Sequence, residues 1–148
     1  DFGQLREWSE EREIDWFLLQ EEPHRKLQEY YADLLKIYKK YPALYAMDND
    51  PSGFEWINAD DGDRSIFSFV RKSPTGRNNI LYVVNFTPVD RPDYRVGVPK
   101  KKQYKQIMDE NGLLTEPKTF KAAKQECDNR PFSFAYPLPA YGVAVFTY

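Results

Sequence analysis

At 148 residues, 41% hydrophobic, 30% charged and 16% aromatic, the chain has the size and apolar content of one domain, or of a small domain plus a piece of another, with a real core, and disorder is not expected. Its net charge of −2, from 21 basic and 23 acidic residues, leaves no concentrated basic patch, so neither a nucleic-acid partner nor a membrane-surface partner is expected. The lone Cys127 and lone His24 exclude an internal disulfide and argue against a zinc site, and no cofactor or metal is expected.

The first stretch, DFGQLREWSEE, is a loop dense in aromatic and hydrogen-bonding groups, with Phe2, Gln4, Arg6, Glu7 and Trp8 preceding any periodic pattern. Between 24 and 41 the apolar residues Leu27, Tyr30, Tyr31, Leu34, Leu35 and Tyr38 recur at spacings of three and four, which predicts an amphipathic helix. Pro23 marks its start and Pro42 its stop. So rich a stripe needs a large surface to pack on. In the isolated chain Leu27, Tyr31, Leu34, Leu35 and Tyr38 are expected to be exposed, or buried by self-association, unless the helix folds back on the strands that come after it.

After Pro51 the period changes to two. FEWI (54–57), SIFSFVRK (65–72), NILYVVNF (79–86), YRVGV (94–98), QYKQIMD (103–109), RPFSFAYPLP (130–139) and YGVAVFTY (141–148) read as strands, separated by turn clusters such as NADDGDR and SPTGRN. The prolines at 92 and 99 are expected to bracket the YRVGV strand. The stretch 113–130 is polar and poorly periodic and reads as a long loop with one strand inside it. Seven or so short strands with turns between them predict an antiparallel β-sandwich, and the order of elements is α followed by β. No apolar run approaches the roughly 18 residues of a membrane span, and a cytoplasmic location is expected.

Catalytic groups are hard to find. The acids come in adjacent runs (Glu10-Glu11, Glu21-Glu22, Asp60-Asp61 with Asp63), and adjacent side chains diverge on a helix and oppose on a strand, so such runs rarely form a dyad across a cleft. Asp60, Asp61 and Asp63 fall in a hairpin loop, where Asp serves turn geometry. His24, at a helix start, reads as a cap or packing residue and has no Ser or Cys nucleophile beside it. The seven glycines are isolated, so no phosphate loop is present. Among the three tryptophans, Trp56 beside Phe54 reads as core or domain-interface packing. Trp8 sits among Arg6, Glu7 and Ser9, groups that stay wet or bind something, and is the better sugar-stacking candidate.

Several strings carry a resemblance. DFGQLREW followed by IDWFLL and Pro23-His24 is similar to the segment after the last barrel strand of bacterial glycogen branching enzymes, members of the α-amylase superfamily (glycoside hydrolase family 13). YPAL, FEWINADDGDRSIFSFVRK, VVNFTPVDRPDYRVGVP and the closing LPAYGVAVF resemble the same family's continuation, in order and over nearly the whole chain. The resemblance implies that residues 1–47 are the end of a catalytic (β/α)8 barrel, its last loop and helix, and that 48–148 are a C-terminal all-β sandwich domain. It implies a retaining transfer of a glucan chain, from a glycosyl-aspartate to a glucan 6-hydroxyl, with a Glu as acid and then base. Those carboxylates lie upstream of the family's FGQ motif, so the chain alone is expected to be inert, residue 1 is read as a cut, and no catalytic residue is assigned. Gln4, Arg6, Glu7 and Trp8 are the candidates for lining or supporting the glucan groove, with an α-glucan (glycogen or a maltooligosaccharide) and the upstream barrel as partners. The sequence departs from the family at Asp1 (usually Glu), at Leu5 (usually Trp) and in 113–130, which lacks a Tyr-Gly-Gly-Ser pattern. The competing readings are a freestanding carbohydrate-binding or protein-interaction module and a purely structural cap.

Overall fold

The computed structural model, which describes residues 1–148, places one α-helix against an antiparallel β-sandwich. Helix α1 runs Glu22–Lys40. Pro23 lies in its first turn, where an absent N–H costs no hydrogen bond, and Lys39 and Lys40 sit in the last turn at the negative end of the helix dipole. Tyr41 is extended (φ −112°, ψ 103°) because the Pro42 ring disfavours helical geometry in the residue before it, and there the helix stops.

Nine strands come after the helix: β1 Phe54–Asn58, β2 Ile66–Arg71, β3 Ile80–Asn85, β4 Arg91–Val98, β5 Gln103–Asp109, β6 Gly112–Leu113, β7 Thr119–Lys121, β8 Phe132–Leu138 and β9 Val143–Thr147. Seven of them form one sheet in the order β1-β2-β3-β9-β5-β6, with β7 also paired to β5, and β4 and β8 form a second, two-stranded layer. Every strand pair is antiparallel. The sandwich expected from the sequence is therefore present, and β7 is the strand expected inside 113–130. Only β6, two residues long at the border of that stretch, is additional. Pro92 lies inside β4 rather than before it, at the irregularity between Arg91 and Tyr94, where a missing donor is tolerated. No barrel strand is part of the chain. The chain has no parallel strand pair and a single α-helix.

Alternation gives the large sheet two different faces. On β2, Ile66, Ser68 and Val70 point inward and are fully buried, while Phe67 and Phe69 point outward. The inner face and the β4–β8 layer enclose a core of 15 buried residues, among them Val70, Leu81, Val96, Phe134, Leu138 and Phe146. Phe146 meets Phe120, Phe134 and Tyr136 edge-on, at centroid separations of 5.7, 5.3 and 5.3 Å. Burying each such side chain stabilises by about 1.5–3 kcal/mol, so this layer pair dominates the stability of the molecule.

Helix α1 covers part of the outer face. Ile37, Tyr41 and Ala43 join Ile80, Ile107, Met108 and Val145 in a second, smaller cluster, with Tyr30 packed against it. A polar latch fixes the other side of the helix. Asp33 accepts the Leu113 N–H at 3.2 Å and a hydrogen bond from Lys36 Nζ at 2.8 Å. Gly112, at φ +109°, lets the β5–β6 turn come this close, since a Cβ there would lie 3.0 Å from the Asp33 carboxylate. The Lys36 hydrogen bond, helped by that of Leu113, holds the Asp33 carboxyl below its usual range.

The helix does fold back on the sandwich, but not along the middle of the stripe read from the sequence. Tyr30, Ile37 and Tyr41 form the contact line, whereas Leu27, Tyr31, Leu34, Leu35 and Tyr38 remain exposed, centred about a quarter turn around the helix. Of the two expectations for Trp56, core packing and domain-interface packing, the first is corrected. It is 49% exposed on the outer face, edge-on to Phe54 at 5.1 Å and to Phe69 at 5.7 Å. Phe69 in turn stacks on Tyr82 at 4.9 Å. An aromatic row on the sheet and an apolar stripe on the helix thus face solvent in this chain.

Candidate functional site

The opening loop is built around one carboxylate. Asp15 is only 5% exposed, and the guanidinium of Arg6 clasps it with two donors, Nε on Oδ2 at 2.8 Å and Nη2 on Oδ1. A two-pronged, charge-assisted contact of this kind fixes orientation as well as distance. Gln4 completes the clasp: its Oε1 accepts the Asp15 N–H at 3.0 Å and its Nε2 donates to the Arg6 carbonyl at 3.2 Å. Arg12 Nη2 donates to the Glu7 carbonyl at 2.9 Å, closing the far side of the loop.

Helix α1 supports the base of this loop. Phe2 is buried and stacks on Trp16 at 5.7 Å, and His24 Nδ1–H donates to the Phe2 carbonyl at 2.7 Å. That hydrogen bond makes His24 a tether for the loop, in line with the packing role its position suggests. Gly3 adopts φ +72°, and a Cβ there would come 3.2 Å from Leu27, so the turn that brings Phe2 onto the helix needs glycine. The 3-10 turn Trp16–Gln20 then leads into α1.

The four candidates read from the sequence therefore divide. Gln4 and Arg6 spend their polar groups inside the loop. Glu7 and Trp8 face solvent, Trp8 at 74% exposure, next to an equally free Leu5. Sequence reasoning misses Asp15, although a signal exists: it is an acid set between Ile14 and Trp16 in an otherwise apolar string, where a surface carboxylate is out of place.

Elsewhere the polar groups serve the fold. Asp61 pairs with Arg64 at 2.7 Å, and Asp128 accepts the Gly97 N–H at 2.9 Å. Asn85, of the sequon-like Asn85-Phe86-Thr87, is buried, and its Nδ2 donates to the Val89 and Pro139 carbonyls at 2.9 and 2.8 Å. Burial pushes the Cys127 thiol up to about 11, which favours the protonated form. No three His, Cys, Asp or Glu side chains gather in a group that could hold a metal ion, and no helix is long and apolar enough to cross a membrane.

Against known proteins, residues 56–148 match the family described as the alpha amylase C-terminal all-beta domain. The chain belongs to that family. Its similarity to individual members also reaches beyond this C-terminal all-beta domain. The chain is 48% identical, over 154 aligned residues, to the 1,4-alpha-glucan branching enzyme GlgB of Butyrivibrio fibrisolvens, covering 100% of this chain and 24% of that enzyme. GlgB of Geobacillus stearothermophilus is 32% identical over 98% of the chain and 24% of the enzyme, and GlgB of Aquifex aeolicus 46% identical over 73% and 17%. The chain spans about a quarter or less of the length of these relatives.

Proposed function

We propose that this chain is the C-terminal part of a 1,4-alpha-glucan branching enzyme, which forms α-1,6 branches in glycogen by transferring a glucan chain. The observation that carries this reading is that similarity to branching enzymes covers residues 1–55, outside the all-beta domain: the stretch that forms the Asp15-centred loop and helix α1 falls inside that match and outside the wider domain family's. In this reading residues 1–47 close the catalytic barrel and 48–148 are the appended sandwich. Glu7 and Trp8 face the glucan groove, with Gln4 and Arg6 behind them. The protein works in the cytoplasm, where Cys127 stays reduced.

The uncovered surface fits this assignment. The open stripe of α1 is formed by Tyr31, Leu35 and Tyr38, and the aromatic row by Phe54, Trp56 and Phe69; together they leave more apolar surface open than the sandwich needs for itself. Its occupant is the remainder of the enzyme, since the relatives are about four times as long as this chain. In this reading the chain alone transfers no glucan, because the acid and the nucleophile belong to the part of the enzyme outside it.

The test is to incubate the whole-length protein with amylose and count new α-1,6 linkages after debranching. New branch points are the expected result. Hydrolysis without transfer, or no action on amylose, overturns the reading. The 148-residue chain, assayed beside it, is expected to leave amylose unchanged.

A further inference from the structure

We infer that Asp15 is a positioning residue for glucan binding: it acts through Arg6 and Gln4 to hold the loop in the one shape that presents Glu7 and Trp8 together. The inference rests on the branching-enzyme reading for the identity of the ligand, and on the loop geometry for everything else.

Three observations lead to it. Asp15 is the one buried carboxylate of residues 1–47, at 5% exposure, and it carries no substrate-facing surface of its own. Burying a carboxylate is costly unless it is paired and hydrogen-bonded, and here the whole pairing is drawn from the loop it organises. The contacts are long in sequence for a loop: Arg6 and Gln4 reach across nine and eleven residues, so Asp15 closes a ring with Glu7 and Trp8 on its outer arc.

The consequence for binding is specific. Trp8 makes no ring stacking within the chain, and the side chain of its exposed neighbour Glu7 makes no hydrogen bond, so neither is held by its own contacts. Their placement is inherited from the backbone between Gln4 and Arg12. An aromatic platform binds a sugar ring only where its face is presented steadily, and ordering a loop on binding lowers affinity. Releasing Asp15 should therefore weaken glucan binding and leave the chemical step, whose groups lie outside this chain, intact. Arg6 and Gln4 are struts in this arrangement, and Trp8 and Glu7 are the groups that meet the ligand.

The test uses the whole-length enzyme and three variants, Asp15→Asn, Arg6→Ala and the double variant Asp15→Asn/Arg6→Ala. Each single variant is expected to raise the KM for amylose by about tenfold while kcat stays within about twofold, the signature of lost binding without lost transition-state stabilisation. The double variant should cost no more than either single one, because both break the same contact. A KM within about twofold of the wild type for Asp15→Asn and Arg6→Ala, additive effects in the double variant, or an equal fall in kcat overturns the inference. Arg6→Ala, at a half-exposed position, keeps the test alive if Asp15→Asn fails to fold. Amide hydrogen exchange gives a readout without activity: Asp15→Asn should raise exchange over residues 3–16 and leave β2, β3 and β9 unchanged. If the wild-type enzyme forms no branches yet this exchange pattern appears, the branching-enzyme reading has failed and, with it, the glucan half of the inference, while the loop-organising half stands. If the wild type branches and the variants match it, the inference alone has failed.

Discussion

The N-terminal 47 residues and the sandwich hold themselves together in different ways. Only Phe2, Asp15, Leu18, Ile37, Tyr41 and Ala43 are buried in the first segment, whereas the sandwich encloses a continuous core of 15 residues between two sheet layers. The sandwich is stabilised chiefly by area removed from water. The N-terminal segment relies on a few directed contacts: the Arg6–Asp15 clasp, the His24–Phe2 tether and the Asp33–Leu113 latch. Directed contacts give shape at small net stability, and apolar burial gives stability with less control over a loop's outline. A loop that presents groups to a ligand is better served by the first, and an anchoring domain by the second.

The largest expected effect comes from alkali and falls on the sandwich. Burial raises Tyr94, Tyr136 and Tyr148 to about 12, from an ordinary value of 10.0. The folded state thus keeps protons that the unfolded chain releases, so stability is full below about pH 10 and declines as pH rises through 12. Circular dichroism against pH should show loss of strand signal in that window, because each of the three hydroxyls favours the folded state only while it is protonated. A fold still stable above that window would break the comparison.

Next is Phe146→Ala, which empties the centre of the aromatic cluster and should cost about 3–5 kcal/mol, read as a global fall in Tm. Ile37→Ala should cost about 2 kcal/mol, at the lower end for such truncations because the cluster beneath the helix is small. Its effect should be local: faster exchange along α1 with β2 and β3 protected. Global unfolding by Ile37→Ala would show that helix and sandwich are one cooperative unit. Smallest in the isolated chain is Leu35→Lys, on the open stripe, expected within about 0.5 kcal/mol of the parent chain. The same change in the whole-length protein should destabilise it by more than about 1 kcal/mol if the stripe is covered there. Equal Tm shifts in both settings would sink the docking assignment.

How much of the molecule is legible in the sequence depends on which forces are local. The strands from β1 to β5, β8 and β9 are readable because inward and outward residues alternate over a run of positions, as in Ile66, Ser68 and Val70 against Phe67 and Phe69. Strands β6 and β7 are too short to show a period. The helix is readable, but its contact line is not, because the stripe has two apolar sides and only tertiary packing chooses Ile37 over Leu35. Trp56 looks like core for the same reason: an outward aromatic on an edge strand has the composition of an inward one. The candidate loop is visible as a cluster of Gln4, Arg6, Glu7 and Trp8, yet the division into struts and exposed groups depends on Asp15, whose contact with Arg6 spans nine residues and is encoded by no spacing rule. Whether 1–47 and 48–148 act as two domains is what the Ile37→Ala experiment measures.

The position of β9 bears on how this chain is made. Strand β9 is the last in chain order and yet lies in the middle of the large sheet, paired to β3 on one side and β5 on the other. The β1-β2-β3 meander can form as soon as it emerges from the ribosome, but β5 has nothing to join it to that meander until residues 143–147 arrive. Until then both β3 and β5 present bare edges, the kind of surface that recruits strands from other chains. Synthesis therefore leaves an interval in which the sheet is split in two, and a chaperone that shields the β3 and β5 edges would act in that interval.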